Sequence, residues 1–235
     1  MNILAVDTAS YVMGVALLKD GNPLGEIVTH QKKNHSVRLM PAIRTLFSET
    51  DMKPGDLDRI VVSEGPGSYT GVRIGVTTAK TMAWALNIPV IGVSSMEMLA
   101  QNARYFQGVI SPFFDARRGQ VFTGLYRSEG GRIIQEEEDR ITMHKDWLQL
   151  LKEKEEPVIF LSPDIGQHAS LIKEELGEWA TAASSIGNLP RPLELAAAGM
   201  DKEPGDSPHT FSPNYLRMAE AEAKWLEANK KNKED

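Results

Sequence analysis

Short apolar runs separated by polar, glycine or proline residues recur along this chain, and this pattern is typical of β-strands. Residues 8–10 and Gly21-Asn22-Pro23 supply the first two turns. Strands are predicted over residues 3–7, 11–18, 24–29, 60–63, 90–93, 109–115, 124–126 and 158–161. Because helical segments alternate with most of these strands, the pattern indicates a layered α/β protein.

Apolar residues spaced three or four positions apart predict helices between the strands. In the first helix they recur at three-residue steps from Val37 to Leu46, and Pro41 lies early enough to be tolerated near the first turn. Helices are predicted over residues 34–47, 71–86, 94–104, 146–154, 165–176, 192–200 and 215–229. Residues 201–213 are predicted to form a loop, and residues 230–235 a charged tail.

The second half of the chain begins with the same pattern as the first. The apolar run 109–115 ends in Asp115, as the run 3–7 ends in Asp7, and each is followed by a polar turn and an alternating strand that contains glycine. The spacing from Asp to Gly differs by two residues. The pattern therefore predicts either two related halves with a boundary near 104–109, or a coincidence of common strand–turn–strand units.

A glycine-rich run from Gly65 to Gly75 connects a predicted strand to a predicted helix. Such a turn can bring the backbone N–H groups of a helix N-terminus close to a phosphate. However, no Gly-Lys-Ser/Thr follows, and the spacing is one residue longer than the dinucleotide-binding pattern. The alternative is packing, because small residues every fourth position form a ridge on one helix face. The ridge residues are Gly71, Gly75, Ala79 and Ala83.

Composition narrows the function classes. The 235 residues are 41% hydrophobic, yet no apolar run approaches the ~20 residues of a membrane span, and the N-terminus does not resemble a signal peptide. The absence of cysteine excludes disulfides and thiolate catalysis and favours the reducing cytoplasm. A net charge of −6 argues against tight independent binding to nucleic acid, but not against RNA binding within a larger assembly.

Candidate chemistry is sparse. Asp7 and Asp115 could hold a metal or activate water, although an Asp in this position also starts turns by bonding its own backbone. The five histidines, His30, His35, His144, His168 and His209, lack metal-ligand spacing. Arg117-Arg118 could bind an anion or form a salt-bridged hairpin turn. The acidic run 136–139 is predicted to be a solvated surface, and no Gly-x-Ser-x-Gly elbow is present.

Four segments in order along the chain resemble the bacterial TsaB (YeaZ) family: residues 6–10, 65–75, 115–122 and 213–217. The resemblance implies the duplicated actin-like, Hsp70-like and sugar-kinase-like (ASKHA) fold with a reduced second half. The corresponding domains are 1–104, 105–213 and a C-terminal helix and tail at 214–235.

The resemblance also implies a role in threonylcarbamoylation of the adenosine next to the tRNA anticodon. The expected role is that of a non-catalytic, cytoplasmic partner of the transferase TsaD, acting with the ATPase TsaE and also forming a homodimer. In this role the chain contacts tRNA only indirectly, through the complex. ATP and a metal are expected on TsaD and TsaE, and no cofactor is expected on this chain. If the chain did hold a cofactor, Asp7 and Thr8 would be the candidate residues. A stand-alone ATP-dependent enzyme or kinase and a metallopeptidase are the alternatives.

One segment separates the chain from catalytic relatives. TsaD-like proteins carry His-Met-Glu-Gly-His, whose two histidines bind the metal, where this chain has Ser95-Met96-Glu97-Met98-Leu99. Ser95 and Leu99 stand at the histidine positions, and neither can replace an imidazole.

The resemblance places the pairing surface on the helices at 36–48 and 71–86, which would form a four-helix bundle with the same helices of a partner. The residues expected at this interface are Ser36, Met40, Ile43, Gly71, Gly75, Ala79, Met82 and Ala83. The alternative is that the small ridge packs on the protein's own sheet. Tyr215, Leu216 and Arg217 are expected to help assemble the complex.

Overall fold

The computed structural model describes residues 1–205 and 207–217 and contains two five-stranded mixed sheets. The first has the order β3-β2-β1-β4-β5 and the second the order β10-β9-β6-β7-β8. The strands are β1 (Asn2–Asp7), β2 (Val12–Lys19), β3 (Asn22–His30), β4 (Arg59–Gly65), β5 (Val90–Ser94), β6 (Val109–Asp115), β7 (Gln120–Glu129), β8 (Arg132–Met143), β9 (Val158–Leu161) and β10 (Ala180–Ala182).

The two sheets repeat one topology. β1 pairs antiparallel with β2 and parallel with β4, and β6 pairs antiparallel with β7 and parallel with β9. Asp7 and Asp115 end the central strands β1 and β6, so the apolar runs that end in Asp occupy equivalent places. The predicted duplication and the α/β fold class are confirmed.

Six helices flank the sheets within the described residues. They are α1 (Leu39–Glu49), α2 (Tyr69–Leu86), α3 (Ser95–Ala100), α4 (His144–Lys152), α5 (Ile165–Leu176) and α6 (Pro192–Met200). In that part of the chain, no helix has both the length and the apolar content needed to cross a membrane.

The first sheet is covered on both faces, which explains why β1 and β2 are almost continuously apolar. Leu4, Val6 and Val62 pack towards α1 and α2, whereas Ile3 and Val61 pack towards α6. The chain therefore returns from the second sheet to cover the first. Residues 192–200 were assigned to the second predicted domain but pack on the first sheet, because Leu195 and Ala196 bury their side chains there.

The second sheet has its own core around Trp147, Phe113 and Phe160. The indole Nε1–H of Trp147 donates to Ser111 Oγ at 2.9 Å, which satisfies the one polar group of a fully buried ring.

Most predicted elements are present, and the structure differs in several places. The strand β10 was not predicted, and the helix predicted over 94–104 is α3 followed by a 3₁₀ turn, Gln101–Ala103. Residues 34–47 divide into a 3₁₀ turn, His35–Val37, and α1, whose first turn contains Pro41. The acidic run 136–139 lies in β8, a strand that the charge pattern did not predict. Residues 215–217 are irregular rather than helical, and the rest of the helix and tail predicted for 215–235 lies outside the described residues.

Candidate functional site

The glycine-rich run lies where β4 ends and α2 begins, beside the turn between β1 and β2. Ser68 caps α2, because its Oγ accepts the N–H of Gly71 at 3.3 Å. The N–H of Ser68 donates to the Ala9 carbonyl at 2.7 Å. Thr8 Oγ1 donates to the Gly71 carbonyl at 2.7 Å. The run is therefore bonded directly to the β1–β2 turn.

Glycine is required here by close approach of two backbones. A Cβ at Gly67 would overlap the Ala9 carbonyl oxygen, and a Cβ at Gly71 would overlap the Thr8 carbonyl oxygen. On the side that faces the β1–β2 turn, the protein itself fills the space beside the run, and the other side of Gly67 lines a cleft. The phosphate interpretation of this run finds no support in the geometry.

The small ridge of α2 continues the same contact. A Cβ at Gly75 would lie 2.5 Å from Thr8 Oγ1, and Ala79 and Ala83 are fully buried against the first sheet. The expectation that Gly71, Gly75, Ala79 and Ala83 meet a partner is wrong for this fold. The ridge packs on the protein's own sheet because small residues let α2 approach it closely. Ile43 is likewise buried, in the core between α1 and the sheet.

The opposite faces of α1 and α2 are exposed. Of the predicted interface residues, Ser36 and Met40 are exposed and Met82 is partly exposed. Trp84 is 62% exposed on α2 and Val37 68% exposed before α1, and neither was predicted to lie on a surface. The signal for Trp84 was available, since it lies on the helix face opposite the glycine–alanine ridge.

Asp7 is buried beneath these contacts. Its carboxyl is fully buried and accepts the Ala9 N–H at 3.0 Å, while Oδ2 has no hydrogen-bond partner among the described residues. Burial raises the pKa of Asp7 to about 6, and hydrogen bonds from Ala9 and Ser63 oppose that rise. The Thr8 hydroxyl is bonded to the Gly71 carbonyl, and the unpartnered Oδ2 of Asp7 is buried away from the surface.

Asp115 contacts the buried His168, which in turn contacts the buried His144. His168 Nε2 lies 3.2 Å from Asp115 Oδ1, and the Nδ1 atoms of His168 and His144 are 2.7 Å apart. Burial, with a smaller contribution from His168, lowers the pKa of His144 to about 3, so His144 is neutral at pH 7. The Asp115 N–H donates to Asp164 Oδ2 at 3.2 Å, and burial raises the pKa of Asp164.

His30, His35 and the two residues at the histidine positions of catalytic relatives, Ser95 and Leu99, all contact other parts of the protein. His30 stacks on Tyr11 at 5.1 Å between ring centroids, and the His35 Nε2 lies 2.8 Å from the Ser10 carbonyl. Ser95 Oγ and Ser63 Oγ are 2.7 Å apart, and Leu99 is in the core. Within residues 1–205 and 207–217, no three histidine or carboxylate side chains converge as metal ligands.

The first sheet with the helices packed on it forms a first unit, and the second sheet with its helices forms a second unit. A cleft of about 1140 Å³ lies between these two units. Its walls are the β1–β2 turn and the start of α2 on one side and the β6–β7 turn on the other. Arg117 and Arg118 form that second turn with left-handed backbone (φ 64° and 55°), and the Gln120 N–H donates to the Arg117 carbonyl at 3.0 Å. The hairpin turn is confirmed, and both side chains line the cleft.

The C-terminal segment 214–217 crosses the cleft from one unit to the other. The Asn214 N–H donates to the Glu64 carbonyl at 2.7 Å, and the Tyr215 ring stacks on Tyr69 at 4.8 Å. Leu216 packs against a buried cluster that contains residues of both sheets. Arg217 reaches the second unit, donating to the Ala116 carbonyl at 2.8 Å and to Gln120 Oε1. Tyr215, Leu216 and Arg217 therefore hold the two units together.

Comparisons with known proteins show which family the sequence is similar to. Residues 23–225 match the family model described as TsaD: tRNA N6-adenosine threonylcarbamoyltransferase. Over 230 residues the chain is 53% identical to the tRNA threonylcarbamoyladenosine biosynthesis protein TsaB of Bacillus subtilis (strain 168), spanning 98% of this chain and 100% of that relative.

Two solved structures test the fold. YeaZ from Pseudomonas aeruginosa superimposes with a TM-score of 0.73 at 26% identity, over 92% of this chain and 99% of that one. The ROK hexokinase from Thermus thermophilus superimposes with a TM-score of 0.52 at 9% identity, over 85% of this chain and 98% of that one. The second likeness concerns the fold alone, and it agrees with the expected sugar-kinase-like architecture.

Proposed function

The chain belongs to the TsaB family of tRNA threonylcarbamoyladenosine biosynthesis, and we propose that it serves this pathway as a non-catalytic partner of TsaD. The expected setting is the cytoplasm, with TsaE and a second copy of the chain as further partners. The chain would need no cofactor of its own.

The observation that carries the proposal is the filled turn beside Asp7. Phosphoryl chemistry needs positioned charges that can reach the phosphate. Here the backbone of the β1–β2 turn lies against Gly67 and Gly71. The Thr8 hydroxyl is bonded to the Gly71 carbonyl, and Asp7 is fully buried. These contacts favour a binding protein over an ATP-dependent enzyme.

The exposed faces of α1 and α2 are the surface proposed for TsaD. Met40 is 44% exposed on α1, and Trp84 is the largest exposed side chain on α2. Large aromatic residues that lose their exposure on binding contribute much of the energy of an interface. Met40 can adapt its shape to different partners, as methionine does. Met82 is partly exposed but packs against the core on the ridge side of α2, so it borders this surface. Such a surface suits both a homodimer and a heterodimer.

The test is the affinity of purified Trp84→Asp for TsaD of the same organism, measured by calorimetry. We expect a loss of at least tenfold, as for a hot-spot residue. Trp179→Asp is the matched control, because Trp179 is 43% exposed but lies in the second unit. Circular dichroism verifies that both variants fold. Unchanged TsaD binding by Trp84→Asp would place the interface elsewhere.

A separate titration addresses the competing function. Calorimetry of the isolated chain with Mg-ATP is expected to show no tight binding and no turnover. Tight binding with turnover would instead support an ATP-dependent enzyme or kinase of the same fold.

A further inference from the structure

The cleft between the two units concentrates positive charge on an acidic protein. The described residues that line it include five cationic side chains and two carboxylates, whereas the whole chain carries a net charge of −6. Both carboxylates already have partners. Asp115 faces His168, and Asp164 accepts the N–H of Asp115 and the side-chain amide of Gln167. The cleft therefore favours an anion.

The cations come from both walls. Lys32 and Lys33 follow β3 in the first unit, and Arg117 and Arg118 form the β6–β7 turn of the second unit. Arg217, at the end of the described C-terminal segment, is the fifth, and it already donates to the Ala116 carbonyl and to Gln120 Oε1. A ligand in the cleft would meet charges spread along its mouth rather than gathered at one point.

Aromatic rings accompany these charges. Tyr69 and Tyr215 stack on each other, are each 41% exposed and line the cleft, and Arg73 lies over the Tyr69 ring at 5.4 Å. On the same unit, Lys32 lies over the Tyr11 ring at 5.4 Å. Cations interleaved with partly exposed aromatic rings are the combination that binds single-stranded nucleic acid, whose phosphates need cations and whose bases stack.

The filled turn argues against a mononucleotide as the ligand. Asp7 is fully buried and cannot meet a phosphate, while the charged side chains lie at the mouth of a cavity larger than most small-molecule sites, which hold ~300–1,000 Å³. Phosphates spaced along a strand match this arrangement better than phosphates clustered on one nucleotide.

We propose that the mouth of this cleft binds single-stranded RNA, with Lys32, Lys33, Arg117 and Arg118 on its phosphates and the Tyr69–Tyr215 pair beside its bases. The inference rests on the proposed function, in which the RNA is a loop of the tRNA that is modified. It replaces the expectation that tRNA is met only indirectly. Because the net charge is −6, the affinity of the isolated chain is low and salt-dependent.

The decisive variant removes two charges without disturbing the turn. Arg117 and Arg118 both have left-handed φ, which asparagine and glycine adopt more readily than other residues, so Arg117→Asn with Arg118→Gly keeps the hairpin. The matched control, Lys152→Gln with Lys154→Gln, changes the net charge equally at the end of α4, outside the cleft lining.

The measurement is fluorescence anisotropy of a labelled tRNA anticodon stem-loop with the full chain, at several salt concentrations. We expect the Asn-Gly variant to bind roughly tenfold more weakly at low salt, with a salt slope smaller by roughly 1.4, and the control to match the wild type. Absence of wild-type binding, or equal losses in both double variants, would overturn the proposal. So would displacement of the RNA by equimolar ATP, which would indicate a mononucleotide site.

TsaD binding by the same variants keeps the two proposals distinct. If the Asn-Gly variant loses RNA but retains TsaD, both proposals hold. If it retains RNA while TsaD binding is intact, the RNA site is rejected and the partner role stands.

Discussion

Thr8 and Gly71 contact each other in two ways, through one hydrogen bond and through one close approach of their backbones. The Thr8 hydroxyl donates to the Gly71 carbonyl at 2.7 Å, and the Thr8 carbonyl oxygen occupies the space where a Cβ on residue 71 would lie. The first turn of α2 is thereby fixed to the end of β1. The contact excludes a phosphate from this place and gives the glycine-rich run a structural role.

Gly71→Ala should therefore destabilise the protein, because the new methyl group would force the backbones of α2 and the β1–β2 turn apart. Overpacking of this kind costs about 1–3 kcal/mol in the free energy of unfolding. Urea denaturation followed by circular dichroism measures the change.

Gly166→Ala is the control for the Gly71 variant. Gly166 also lies in a helix, α5, but no atom approaches the position of its added Cβ. This substitution should stabilise the protein by about 0.5–1 kcal/mol, since alanine loses less backbone entropy than glycine on folding. Equal effects of the two substitutions would contradict a close contact at Gly71.

The strands and helices were predictable because their burial is periodic. β9 and α5 have the predicted bounds, 158–161 and 165–176, since each has one consistent apolar pattern and a clear turn on either side. β8 was missed because its partly exposed residues include the run 136–139. Its pairing with β7 provides backbone hydrogen bonds that the side-chain pattern does not reveal.

The candidate site was less predictable, because it depends on which face of a helix meets the sheet. The ridge from Gly71 to Ala83 was visible in the sequence, but small side chains pack equally well on the same chain or on a partner. The cleft also joins Lys32, Arg117 and Tyr215, which are far apart in sequence. Only the duplicated topology brings them to one opening.

Asp7→Asn should stabilise the protein at neutral pH. Burial raises the Asp7 pKa from 3.8 to about 6, so the folded state binds this proton more tightly than the unfolded state does. The resulting contribution favours folding below pH 3.8 and is lost as the pH rises through 6. A shift of about two pKa units corresponds to roughly 3 kcal/mol, which is an upper limit for the gain at pH 7.

The check on Asp7 is urea denaturation of the wild type and Asp7→Asn at pH 4 and pH 7. The difference between them should be largest at pH 7 and small at pH 4. Asp201→Asn serves as control, since Asp201 is exposed and surface substitutions usually change stability by less than about 0.5 kcal/mol. A difference independent of pH would show that the Asp7 carboxyl does not titrate as described.

His144 should give the opposite pH dependence. Its pKa falls from 6.5 to about 3 because the ring is buried between Phe113 and His168, so the folded state resists protonation that the unfolded chain accepts. The stability that neutral His144 contributes is complete above pH 6.5 and is lost progressively as the pH falls towards 3. One proton taken up on unfolding corresponds to ~1.4 kcal/mol per pH unit.

His144→Gln removes this titration, so the stability difference between wild type and variant should narrow by that slope between pH 6 and pH 4. Urea denaturation at pH 7, 6, 5 and 4 measures it, and His30→Gln is the control because the His30 ring lies exposed against Tyr11. Asp7 is retained in both variants, so its opposite contribution cancels when each is compared with wild type. Parallel pH curves for wild type and His144→Gln would mean that His144 binds its proton equally well in the folded and unfolded states, which would contradict the lowered pKa.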